Sequence, residues 1–193
     1  MLSYNEIKER KYIVLDGTPY ECLDSHVSRK QQNKPVNKTK LRNLLTNAVI
    51  EKTFQVSDNV PEADITKKKI VFIYARNDEF WFHSEGDPSN RFFLDVGLLS
   101  EIKDFLKEKI IVDAIVWIDA EEDEKIIGVR LPVKMEFVVI DAPPNVRGDT
   151  ATGGDKVVTI ETGAKIKTPL FIETGQTIVV NTETREYVER VKG

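Results

Sequence analysis

One cysteine and two histidines are all that these 193 residues carry of the side chains most used for redox, metal and imidazole chemistry. Cys22 has no partner for an internal disulfide, and its place in an alternating apolar segment assigns it to a core. His26 and His83 cannot supply a histidine cluster to a metal. A Ser-His-Asp arrangement would have to be assembled around one of them. No catalytic residue, metal or cofactor is therefore expected. Long apolar runs are missing too: none approaches the roughly 18 residues a membrane span needs. The opening MLSYNEIKERKYIV lacks the apolar stretch of a secretory signal. The expectation is a soluble, cytoplasmic protein that engages no membrane.

What is present is a core-forming composition, 40% hydrophobic, and an uneven charge. The formal net charge is −4, but an average hides the distribution. Residues 1–64 carry 10 basic and 9 acidic side chains, 65–128 carry 9 and 14, and 129–193 carry 9 and 9. From Ser25 to Ile50 there are six basic residues (Arg29, Lys30, Lys34, Lys38, Lys40, Arg42) and no acidic one. Lysines and arginines that neutralise phosphates release counterions, so such a stretch suits a nucleic-acid backbone.

Short strands separated by turn residues fill most of the chain. Tyr12 to Leu15 leads into Asp16-Gly17, a tight-hairpin dipeptide, and Tyr20 to Val27 continues beyond it. Asn47 to Val56 and Lys69 to Tyr74 are strand-like, and Asn77-Asp78 predicts a second hairpin into Glu79 to His83. Trp81 and Trp117 sit among apolar residues and are assigned to cores, and both histidines are given scaffold roles. Gly97 to Lys109 breaks the rhythm: Leu98, Leu99, Ile102, Phe105 and Leu106 predict a short amphipathic helix whose apolar face plugs a barrel. Ile110 to Ile118 returns to strand, and the acidic run Asp119 to Glu124 reads as a loop. After Pro132 and the turn-rich Pro143-Pro144-Asn145, strands are expected at Val157 to Glu161, Ala164 to Phe171, Thr177 to Asn181 and Glu186 to Val191. The rhythm predicts a mostly β chain of three small barrels, at 1–64, 65–128 and 129–193.

The stretch GDTATGGDKVVTIETGAKIKTPLFIETGQTIVVNTETREYVERV, from Gly148 to Val191, resembles the signature region of the elongation factor P family. Its lysine, glycine, proline, hydrophobic and glycine positions fall on Lys156, Gly163, Pro169, Ile172 and Gly175. LDGTPYECLDSHV, TKLRNLLTNAVIEKTF, KKIVFIYARNDEFWFH and GVRLPVKMEFVVIDAPPNVRGDT resemble other family segments in the same order, so the likeness spans the chain. It implies an N-terminal SH3-like barrel of the KOW type followed by two OB-fold barrels, in an L-shaped, tRNA-like arrangement. The implied activity is non-enzymatic: a monomeric translation elongation factor that binds the ribosome between the peptidyl-tRNA and exit sites, touching peptidyl-tRNA and ribosomal RNA. There it would stimulate peptide-bond formation at stalling motifs such as consecutive prolines.

The resemblance also assigns site residues. The loop Arg29, Lys30, Gln31, Gln32, Asn33 and Lys34 would face the tRNA and the peptidyl-transferase centre. Gly148, Asp149 and Thr150 would form a loop near the exit-site codon and the small subunit. Tyr187 and Arg190 match family residues that contact the ribosome or tRNA, a core role for Tyr187 being the other reading. The family loop is glycine-rich and commonly presents a lysine at its tip; ungapped alignment from Ile13 to Leu41 puts Gln32 there. Glutamine has no amine to extend by modification. Either Gln32 works unmodified, its amide both donor and acceptor, or Lys30 or Lys34 takes the tip through a shifted loop. A different class stays open: a KOW and OB RNA-binding protein, or a specialised paralogue, acting outside polyproline rescue.

Overall fold

The computed structural model describes residues 1–29, 34–144 and 154–191. Its first strands are β1 (Leu2–Ser3), β2 (Tyr12–Leu15), β3 (Thr18–Ser28), β4 (Val36–Asn43), β5 (Val49–Gln55) and β6 (Asn59–Val60). β2-β3-β4-β5 form an antiparallel four-stranded sheet, and β1 pairs with β6. The β2–β3 turn is made by Asp16 and Gly17 at φ 50° and 70°, the left-handed pair that a two-residue hairpin requires.

Next come β7 (Asp64–Arg76), β8 (Glu79–Ser84), β9 (Asp87–Asp95), the one-turn helix α1 (Val96–Leu99), a 3-10 turn at Lys103–Phe105, β10 (Ile111–Ile118) and β11 (Glu124–Arg130). The five strands lie in the order β11-β10-β7-β8-β9. Last are β12 (Lys134–Asp141), β13 (Asp155–Ile160), β14 (Lys165–Pro169), β15 (Thr177–Asn181) and β16 (Glu186–Arg190), ordered β14-β13-β12-β15-β16. The fold is nearly all β, a KOW-type barrel followed by two OB-fold barrels. Among the described residues no helix is long and apolar enough to cross a membrane.

The chain divides into two compact units, Met1–Lys68 with Ala114–Val129 and Lys69–Asp113 with Arg130–Gly193, so the boundaries fall inside β7, β10 and β11. In the first unit, Ile7, Ile13, Cys22, Leu41 and Phe54 are buried together. A second cluster gathers Ala63, Trp117 and Ile127 against Tyr12, Val14, Leu44, Ile65 and Ile115. Asn37 is a fully buried polar residue of the first unit: its Nδ2 donates to the carbonyls of Tyr4 (2.6 Å) and Ile7 (2.9 Å), tying the N-terminal segment to β4. In the second unit, Phe137, Val139, Val158, Ile160, Ile166, Ile172 and Ile178 are packed with Phe105. A further group there contains Ile70, Phe72, Phe80, Phe82 and Leu99, all buried.

Three expectations are corrected. The helix over 97–109 is broken into α1 and the 3-10 turn. Ile102 (φ −117°, ψ −11°) stays in the αR region as the N-cap of the 3-10 turn, and the chain turns extended at Leu106 (φ −71°, ψ 124°). The segment is short enough that nucleation is costly and tertiary burial decides its path, and Leu99, Phe105 and Leu106 reach the interior from separate turns. Trp81 is not a core residue. In β8, Phe80 and Phe82 point inward, so strict alternation turns Trp81 to the outer face. His26 has no scaffold role, being exposed opposite Lys38. The burial of Cys22 and Trp117 agrees with expectation.

Candidate nucleic-acid interface

The basic segment is carried on the long β3–β4 hairpin, whose outer face can be followed rung by rung. In β4, Asn37, Thr39 and Leu41 are buried, so Lys38, Lys40 and Arg42 share the opposite face. Their neighbours across the sheet differ. Arg42 stands opposite Glu21 and Val49 and forms an ion pair with Glu21. Lys40 stands between Asp24 and Glu51. Lys38 stands between His26 and Thr53. The sequence run without acids is thus answered at its base by acids from adjoining strands. Among the described residues no acid stands opposite Lys38 on either flanking strand.

The end where the hairpin turns carries Arg29, Lys34 and Lys38, all exposed, with Pro35 beside Lys34 fixing the backbone as the strand begins. Val27 on the same stretch is 49% exposed. Lys30, Gln31, Gln32 and Asn33 lie outside the described residues, as do Gly148, Asp149 and Thr150. What the structure brings together is therefore the root of the first loop. The acids Glu21, Asp24 and Glu51 were missed because a linear charge count ignores cross-strand neighbours. The β-hairpin register was the signal that could have found them.

The two C-terminal candidates separate. Tyr187 stands opposite Val180 and packs on the buried cluster around Phe137, so its ring serves the core. Arg190 is exposed, its guanidinium 5.8 Å from the centroid of Phe171, which is itself 56% exposed. The signature positions prove architectural. Gly163 (φ 88°) and Gly175 (φ 86°) occupy left-handed turns on either side of β14, and Ile172 is fully buried between them. Lys156 donates to the carbonyl of Pro143 at 3.1 Å.

Burial raises the Cys22 thiol above its ordinary value. The Lys125 ammonium, with backbone N–H groups of Asp123 and Glu121, holds the Asp119 carboxyl below the usual carboxylate range. Asp119 thereby organises the acidic β10–β11 loop: it accepts from Glu121 N–H (2.9 Å), Asp123 N–H (3.0 Å) and Lys125 Nζ (2.6 Å). Lys125 in turn lies 5.5 Å over the Trp117 ring.

Comparison with known proteins gives a consistent result along the chain. Residues 3–60 match the family model "Elongation factor P (EF-P) KOW-like domain", and residues 135–190 match "Elongation factor P, C-terminal". The elongation factor P of Carboxydothermus hydrogenoformans is 35% identical over 191 residues, covering 99% of this chain and all of that protein. That of Natranaerobius thermophilus is 34% identical over 193 residues, covering both chains in full. Among solved structures, translation initiation factor 5A from Methanococcus jannaschii aligns with 66% of this chain and 94% of its own, at a TM-score of 0.52 and 19% identity.

Proposed function

Since the chain belongs to the elongation factor P family, a family of translation elongation factors, we propose that it binds the ribosome beside peptidyl-tRNA, between the peptidyl-tRNA and exit sites. There it stimulates peptide-bond formation at stalling motifs such as consecutive prolines. The observation that carries this reading is the charge on the β3–β4 hairpin, neutralised at the base by Glu21, Asp24 and Glu51 and left cationic toward the turn at Arg29, Lys34 and Lys38. A projection with that polarity suits entry between RNA backbones, its charge concentrated where phosphates are met.

The mechanism is positional. Gln32, at the tip by alignment, steadies the end of the peptidyl-tRNA through its amide, so that ester and incoming amine meet in reactive geometry. The factor breaks no bond, and the chemistry belongs to the ribosome. Gly148, Asp149 and Thr150 face the exit-site codon and the small subunit. Arg190 is the better placed of the two C-terminal contacts, since Tyr187 is committed to packing. The protein acts as a cytoplasmic monomer of three barrels, at 1–64, 65–128 and 129–193.

Ribosome binding at several salt concentrations tests the interface. Replacing Arg29, Lys34 and Lys38 together by alanine is expected to weaken binding and to flatten the log–log salt dependence by about two. Gln32→Ala is expected to leave binding nearly intact while reducing rescue at proline runs. Unaltered salt dependence in the triple variant refutes the assignment of the hairpin to RNA, and equal loss of both activities in Gln32→Ala refutes the tip role.

A further inference from the structure

The outward face of β7, β8 and β9 carries three rungs of side chains that the hairpin reading does not use. Across the middle rung, Tyr74 stacks on Trp81 (centroids 6.1 Å apart, planes 24° apart) and Trp81 meets Phe93 at 5.5 Å. Tyr74 is 42% exposed and Phe93 47%, a continuous aromatic surface rather than isolated rings. On one side lies the rung Arg91–His83–Val71, and on the other Asp95–Glu79–Arg76. Arg91 is exposed, and its Nε donates to the carbonyl of Pro88 at 3.1 Å. Glu79 accepts from Trp81 Nε1 at 3.2 Å with one carboxylate oxygen, so the indole and the carboxylate hold each other in place.

Successive outward rungs of a sheet are roughly 7 Å apart. Cation, aromatic platform and carboxylate therefore follow one another over the distance a nucleotide spans from its phosphate to the far edge of its base. We propose that this face is a second RNA site, where Tyr74, Trp81 and Phe93 stack an unpaired base, Arg91 takes the adjoining phosphate, and Glu79 and Asp95 accept from the base's amino edge. Carboxylates accept and cannot donate, which favours cytosine, adenine and guanine, each with an exocyclic amine, over uracil, whose single N3–H lies between two carbonyls. Strands β8 and β9 are the second and third of their barrel, the face OB-folds offer to oligonucleotides. The acidity of 65–128 does not oppose this, because five of its fourteen acids stand in the run 119–124 and Arg91 and Arg76 balance Glu79 and Asp95 on the face itself.

The site is independent of the hairpin and can be read directly. Trp117 is buried, leaving Trp81 as the fluorophore that a stacked base would quench. The full chain is titrated with oligocytidylate, oligouridylate, duplex RNA and an oligoarginine peptide. Oligocytidylate is expected to quench emission and to bind at least about fivefold tighter than oligouridylate, with duplex RNA ineffective. Trp81→Phe removes the signal. Tyr74→Ala with Phe93→Ala, followed by competition, weakens binding about tenfold, and Arg91→Gln, an exposed change that spares the fold, weakens it and lowers its salt dependence. The Arg29, Lys34, Lys38 triple variant leaves the quench unchanged, which separates this site from the hairpin. No quench by single strands, no effect of Arg91→Gln, or quenching by oligoarginine in place of RNA overturns the proposal, the last pointing to a basic protein partner.

Discussion

Asn37 shows how a single polar side chain ties the candidate interface to its scaffold. It stands three residues beyond Lys34, fully buried, and gives its two N–H groups to the carbonyls of Tyr4 and Ile7. Asn37→Ala strands both carbonyls, and its expected cost is about 1–3 kcal/mol, read as a shift of the denaturation midpoint. An unchanged midpoint contradicts the bracing role. Nothing in the sequence announced this residue, because an asparagine amid basic residues reads as surface until the strand's phase is known. Cys22 was legible for the opposite reason: apolar alternation around a thiol states its burial directly.

At the scale of elements, turns were the readable part. Asp16-Gly17 and Asn77-Asp78 both adopt the left-handed pairs their sequences favour. Helix against 3-10 turn over 97–109 was not readable, since the apolar spacing fits a helix while the chain turns extended at Leu106 (φ −71°, ψ 124°). The orientation of Trp81 was available in principle from the alternation Phe80–Trp81–Phe82, but apolar neighbours alone suggested a core. The β10–β11 loop gives a pH test. The folded pKa of Asp119 is lowered, so its contribution is present above the unfolded value near ~3.9 and is lost as pH falls through the folded one. Asp119→Asn should therefore melt below the parent protein at neutral pH, with the gap closing as the pH drops beneath about 4. A gap that persists to the most acid melts refutes the Lys125 account.

Over the whole molecule, family membership was legible because the signature positions are architectural: left-handed turns at Gly163 and Gly175 and the buried Ile172. Charge polarity along the β3–β4 hairpin was only half legible. The six basic residues are in the sequence, yet the pairing of Glu21, Asp24 and Glu51 against their basal half comes from strand register. The central claim is that this polarised hairpin serves to position peptidyl-tRNA. The measurement that addresses it most directly is synthesis of a reporter containing consecutive prolines in a purified translation system lacking any related factor. Adding the protein is predicted to restore full-length product from the proline reporter and leave a proline-free control unchanged, with Gln32→Ala restoring less. A proline reporter that stays stalled at saturating protein contradicts the account.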